Sequence, residues 1–307
     1  MVSYRFSRME MKGNKMNSSN ATPEAIVTNT PNRFFGQPGQ PPTLRVVPTE
    51  MSMDMHMFGG MYAPSHLFTV MLMSSYREKN MEHITFAGGN GTLRRGTFNT
   101  RSSGIGDLKI SGLLNLFRTR ASKGILGLGL SFPTGSTSER DTILAPSGAT
   151  PTVKLPYAMQ NGTGTFDFLP SLTFSSRSSR IGWGGQWKGA IRNNKKDGYN
   201  LGDAHEVTTW LSYRPINELS TSLRLQYQHS ERIKGIDTKI SLPVQTADPN
   251  NYGGDKVNLL MGLNWTAKGA LNGLRIAIEG GIPLHQDLNG PQMKEDYLIS
   301  AGLQFGF

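Results

Sequence analysis

The segment STSLRLQYQ, Ser220–Gln228, alternates without a break. Thr221, Leu223, Leu225 and Tyr227 fall on one face, and Ser222, Arg224, Gln226 and Gln228 on the other. Side chains of a β-strand repeat every second residue, so this spacing predicts a strand with one dry and one wet face. The pattern recurs. In TFDFLPSLTF (Thr165–Phe174) the dry side is Phe166, Phe168, Leu172 and Phe174; in DKVNLLMGLNW (Asp255–Trp265) it is Val257, Leu259, Met261, Leu263 and Trp265. The terminal YLISAGLQFGF aligns Tyr297, Ile299, Ala301, Leu303, Phe305 and Phe307.

Marking every such segment predicts about twelve strands. They fall at 1–12, 49–62, 67–78, 104–118, 123–132, 163–175, 180–192, 203–214, 219–231, 254–267, 271–283 and 297–307. The connections at 63–66, 119–122, 176–179, 215–218 and 268–270 are short. Those at 13–48, 79–103, 133–162, 193–202, 232–253 and 284–296 are longer, and the two kinds alternate. An up-and-down barrel has all odd connections at one end and all even ones at the other. Short periplasmic turns, long extracellular loops and strands of about ten residues mark the barrels of the bacterial outer membrane. Such a barrel must close, because hydrocarbon cannot satisfy an open sheet edge. The expected fold is therefore all-β: a transmembrane up-and-down antiparallel barrel, one domain over 1–307, with 13–48 as a Pro-rich external loop. A soluble β-sandwich would alternate too, but its loop lengths would not sort in this way. Tyr4, Tyr62, Tyr76, Trp183, Tyr213 and Tyr297 lie near strand ends, where interfacial aromatic girdles form.

Composition narrows the function classes. Of 307 residues, 36% are hydrophobic, fewer than a single globular core of this length draws on. No apolar run reaches the ~18 residues of a membrane-spanning helix. The absence of cysteine removes disulfides, thiol nucleophiles and Cys-ligated zinc. The net charge of +10 suits anionic headgroups or anionic solutes. The basic residues are scattered rather than striped, which argues against nucleic acid. The start, MVSYRFSRMEMKGNK, does not read as a signal peptide.

MHMFGGMYAP (Met55–Pro64), RSSGIGDLKISGLLNLF (Arg101–Phe117), LGLSFPTGS (Leu128–Ser136) and VKLPYAMQNGTGTFDFLPSLTF (Val153–Phe174) carry a family resemblance. So do GYNLGDAHEVTTWLSYR (Gly198–Arg214), LSTSLRL (Leu219–Leu225), TADPN (Thr246–Asn250) and IEGGIPLHQDLNGP (Ile278–Pro291). Together they resemble a family of bacterial outer-membrane transporters named for the MetA pathway of phenol degradation. The resemblance spans nearly the whole chain. It implies an outer-membrane barrel and passage of small aromatic or hydrophobic compounds, with no catalytic residue to carry over. It also implies a leader peptide, so the sequence reads as a mature or truncated form. PNRFFGQPGQPP (Pro31–Pro42) departs from the family pattern.

If the dry faces meet lipid, the lumen receives Asp107, Lys109, Asn115, Asp167, Glu206, Arg224, Gln226, Arg275 and Glu279. A basic residue on the lipid side at the midplane would cost about 2–4 kcal/mol. These groups either line a water path or form a polar plug. Twelve strands enclose a narrower bore than the roughly 16–18 of general porins. Neither GIGDLKISG nor GILGLGLSFPTG opens a helix, so neither cradles phosphate. The expected partners are outer-membrane lipid and lipopolysaccharide and small solutes, with the chain monomeric, non-enzymatic and free of cofactor.

Two alternatives stand beside the channel. Twelve of the fifteen methionines fall in the first 81 residues. In EMSMDMHMFGG (Glu50–Gly60) they occupy alternate positions from Met51 to Met57. Thioethers suit soft copper or silver ions, and His can join them. Facing the stripe inward would point Asp54 and His56 at lipid, so the stripe is expected on the lipid side. An inward set of Asp54, His56, Met71, Met73, Met9 and Met11 then becomes the metal candidate; a bulge at Gly59–Gly60 would reverse the facing. The other alternative is an outer-membrane hydrolase using His205 or His83, although no serine stands in a recognisable nucleophile context.

Overall fold

The computed structural model describes residues 1–307, apart from the side chain of Ala270. In chain order the strands are β1 (Val2–Asn17), β2 (Ser19–Ala21), β3 (Val46–Tyr62), β4 (Phe68–Phe86), β5 (Arg94–Ile105), β6 (Leu108–Arg118) and β7 (Ser122–Phe132). There follow β8 (Arg140–Thr142), β9 (Thr152–Lys154), β10 (Asp167–Ser178), β11 (Ile181–Arg192), β12 (Tyr199–Asn200) and β13 (Ala204–Ile216). The last are β14 (Leu219–Ser230), β15 (Lys234–Gly235), β16 (Gly254–Thr266) and β17 (Leu274–Phe305). A short helix, α1 (Pro23–Asn29), follows β2; Thr22 caps it by accepting from Ala25 N at 3.2 Å, and Pro occupies its first turn.

Antiparallel neighbours run β17-β16-β14-β13-β11-β10-β7-β6-β4-β3-β1, and β1 pairs back with β17. The sheet is thus a closed barrel of eleven continuous strands, with β2 and β5 outside the ring. β17 crosses the wall twice. Its first limb pairs with β16 up to Leu288, it turns at Gly290 (φ 71°), and its second limb pairs with β1 down to Phe305. Closure leaves no ladder edge in the wall, as a hydrocarbon setting requires.

The wall departs from the sequence-based spans in a consistent way. β1, β3 and β4 run 16, 17 and 19 residues, well beyond what crosses a bilayer. The connection expected at 79–103 is therefore mostly strand, with its turn at 87–93. The one expected at 284–296 is a strand hairpin, and 13–48 holds the end of β1, β2 and α1. Tight turns occur at both ends, so long and short connections do not alternate strictly. We call the end carrying 18–45, 133–166 and 231–253 the loop end, and the other the turn end.

The strand expected at 104–118 breaks at Gly106–Asp107. β5 pairs with the upper part of β4 (Tyr76↔Ile105) and β6 with the lower part (Met73↔Lys109). Gly106 N donates to Ser75 O at 2.7 Å, and a Cβ on Gly106 would lie 2.5 Å from Ser75 Oγ. Glycine keeps that approach free of crowding against Ser75 and Arg77. Beyond the break β7 no longer follows, and the segment 133–166 folds across the gap.

An apolar exterior band surrounds the barrel: Phe68, Leu114, Leu128, Leu172, Leu211, Leu223, Leu263, Ile278 and Leu303 are all exposed. The buried apolar clusters lie instead at the loop end. One joins Phe34, Tyr157, Tyr199, Ile240 and Val244, and another Ile26, Val27, Leu44, Ile84 and Phe86. The loops thus have their own folded core, seated on the barrel as a cap.

Candidate functional site

The register fixes which way each side chain points. Phe58 and Tyr62 are exposed on the outside, so alternation turns Met51, Met53, Met55, Met57 and Met61 inward. Met51 is buried against Met81, Met159 and Met293, with Met11 beside them. Neighbouring strands agree: Met11 pairs with Met51, Met51 with Met81, and Met61 with Met71. The methionine stripe therefore lines the lumen, contrary to the expectation that it meets lipid. No bulge interrupts Gly59–Gly60; the register of β3 is continuous there on both sides.

Asp54 and His56 correspondingly point outward. Asp54 faces Arg8 at 3.2 Å, Lys12 faces Glu50 at 2.7 Å, and His56 Nδ1 lies 2.8 Å from Tyr4 Oη. The physical reason is strand length. These residues sit where β1 and β3 have risen past the apolar band, so a polar exterior has no hydrocarbon to meet. Of the six metal candidates, Met9, Met11, Met71 and Met73 face the lumen while Asp54 and His56 do not. Inward-facing Arg77 and Lys79 lie on β4 between Met73 and Met81, and their charge opposes a bound cation. Among the described residues no group of three or more His, Cys, Asp or Glu could hold a metal ion.

The nine polar residues assigned to the lumen divide into two groups. Some hold loops. Asp107 accepts from Gly135 N (3.0 Å) and Thr163 N (2.8 Å), Asp167 pairs with Arg192 at 3.2 Å, and Asn115 donates to His66 O at the turn end. The rest face open space. Glu206 pairs with Lys188 at 2.9 Å, Arg224 with Glu279 at 3.4 Å, and Arg275 bonds Asn264 Oδ1 at 2.6 Å. Gln226 Oε1 accepts weakly from Asn258, and Lys109 lines a cavity of about 730 Å3.

Two cavities fill the lower lumen, of about 730 and 380 Å3, and both touch Met61, Met71 and Met73. Above them the segment 133–166, here termed the plug, folds inward against the wall, which strand patterning could not reveal. Its neck closes where Gly135 and Gly162 meet; a Cβ on Gly135 would lie 2.6 Å from Gly162 Cα. Its inner turn, Tyr157–Met159, is held by the wall. Lys79 Nζ donates to Ala158 O (2.9 Å) and Gln160 O (2.5 Å), Ser102 Oγ to Met159 O (2.6 Å), and Arg77 to Asn161 O (3.0 Å). Tyr157 packs edge-on against Tyr199 and Tyr252, and burial pushes all three phenols up from their ordinary value. At the loop end an apolar vestibule of about 430 Å3 opens, lined by Phe98, Ile143, Val153, Leu155, Leu242 and Val244. Leu155 belongs to this vestibule and also to the methionine cluster beneath it.

The two histidines named for hydrolysis, His205 and His83, lie in separate aromatic contacts. His205 stacks outside on Trp187 (centroids 6.0 Å apart), and buried His83 stacks on Phe98 at 4.7 Å. Among the described residues neither hydrogen-bonds a serine.

The COG4313 outer membrane channel from Pseudomonas putida F1 superposes with a TM-score of 0.62, at 11% identity over 100% of this chain and 94% of that one. The chain has the fold of an outer-membrane β-barrel. The NanC porin gives a TM-score of 0.50 at 8% identity, covering both barrels fully. Both solved barrels are a channel or a porin by name. No family model matches the chain, and no curated protein matches it either.

Proposed function

We propose that the barrel is a passive channel of the bacterial outer membrane for small solutes with an apolar, aromatic body, loop end outward and turn end toward the periplasm. One observation carries this reading: the apolar vestibule meets the methionine cluster at Leu155, and the methionine wall continues down to the lower cavities. Thioethers are flexible and make favourable contacts with aromatic rings, so the wall can yield to a passing ring without offering a deep trap. Cavities of about 300–1,000 Å3 suit small molecules. The solved channel and porin of the same fold support a transport role over an enzymatic one.

The plug sets the resting state, and a solute passes as the inner turn shifts against the methionines. The lipid-facing band on all sides suits a monomer set in outer-membrane lipid and lipopolysaccharide. The test is uptake of a hydroxylated single-ring solute such as catechol into proteoliposomes. Uptake above protein-free vesicles supports the channel; equal uptake for every solute tried removes it.

A further inference from the structure

The lower lumen has a property that an apolar channel does not need. In the cavity of about 380 Å3, Arg5, Arg224 and Arg275 face a single carboxylate, Glu279. In the adjoining cavity, Lys109 and Lys188 face Glu206. Glu279 is taken by Arg224 at 3.4 Å and Glu206 by Lys188 at 2.9 Å. Among the described residues Arg5, Lys109 and Arg275 form no ion pair, and the side-chain partner of Arg275 is the neutral amide of Asn264. Among the described residues Arg5 makes no side-chain hydrogen bond.

Two guanidinium groups facing one small cavity repel each other, and a bound anion relieves the repulsion. Guanidinium also presents paired donors in a plane that matches a carboxylate. The neighbouring wall is apolar and soft: Met57 stands directly across the ladder from Arg5, and Met61, Met71 and Met73 line the same cavity. A ligand satisfying both walls has a carboxylate at one end and a compact, polarisable body at the other.

We propose that this basin selects small aromatic carboxylates, drawing them through the channel by Arg5 and Arg275, with Lys109 extending the positive field into the larger cavity. The inference rests on the channel reading above and names the substrate class of that same lumen. A narrow, low-dielectric bore lined by one sign of charge focuses the field and raises the local concentration of counter-charged solute. The basin favours benzoate-like anions over chloride because chloride gains nothing from the methionines. It opposes ring-bearing cations of the same size.

The experiment uses the full chain in proteoliposomes at neutral pH, with labelled benzoate, benzylammonium and neutral catechol, each corrected for protein-free vesicles. Wild type should take up benzoate about tenfold faster than benzylammonium. Arg5→Gln with Arg275→Gln should bring that ratio close to one, since field focusing acts on charge. The Arg5→Lys and Arg275→Lys pair keeps the charge and should retain most of the preference, which separates loss of charge from misfolding. Met71→Gln with Met73→Gln should slow benzoate more than chloride. A wild-type ratio near one, or an unchanged ratio in the Gln pair, overturns the proposal while catechol uptake leaves the channel standing. Absence of uptake for all three solutes overturns both.

Discussion

Lys154 Nζ lies 2.6 Å from Asp237 Oδ2, and both side chains are almost wholly buried between the segments 133–166 and 231–253. The pair latches the plug to the neighbouring loop. Breaking a buried pair typically costs about 3–5 kcal/mol, and less here because Lys154 keeps Asp197 at 3.7 Å. Asp237→Asn should therefore loosen the cap without disturbing the wall. Limited proteolysis should cut within 133–166 sooner than in wild type, while the barrel remains folded by heat-modifiability on gels.

The inner turn has a second fastening in Lys79, whose ammonium holds the carbonyls of Ala158 and Gln160. Hydrogen bonds from charged groups contribute about 1.5–3 kcal/mol. Lys79→Met should raise solute uptake, with an apolar side chain that fits among the surrounding methionines. Gly162→Ala should act in the same direction, because its Cβ would fall 2.2 Å from Gly135 O and force the neck apart. Proteoliposome uptake measures both, and reduced uptake in either variant would contradict the plug.

The facing of the wall is testable at one site. Leu223 points at lipid and its neighbour Ser222 at the lower cavity. Leu223→Arg should cost about 2–4 kcal/mol if it lies near the midplane, and Ser222→Arg distinctly less. Urea titrations of folding into phospholipid vesicles give both values, and equal costs would reverse the assignment.

Much of the barrel is legible in the sequence, because a lipid-facing strand must alternate whatever else it does. Leu223, Leu225 and Tyr227 could face only one medium. The methionine stripe misled because alternation gives two faces without naming them. The choice depended on where hydrocarbon stops, and β3 outruns it. One available signal was the partner strand: Arg8, Glu10 and Lys12 alternate as a charged series that matches Asp54, Ser52 and Glu50 across the register. Another was Asn289–Gly290, a hairpin signature inside what reads as a loop. The plug had no such signal. Its place in the lumen is set by long-range bonds from Lys79, Ser102 and Asp107 that no local pattern encodes.

The outward position of Asp54 and His56 yields a further expectation. The Arg8–Asp54 pair is partly exposed, at 41% and 25%, and such pairs contribute no more than about 1 kcal/mol. Asp54→Asn and His56→Ala should leave both stability and catechol uptake near wild type. A nitroxide on Phe58→Cys should meet lipid-soluble oxygen, and one on Met57→Cys a water-soluble relaxation agent. The opposite pattern by paramagnetic resonance would return the methionines to the lipid face.

The central claim is a methionine-walled channel held shut by its own loop. Its most direct measurement is catechol uptake into proteoliposomes carrying wild type or the combined Asp237→Asn, Lys79→Met variant. The account predicts uptake above protein-free vesicles for wild type and faster uptake for the variant. Uptake equal to protein-free vesicles in both, with the barrel folded, would contradict it.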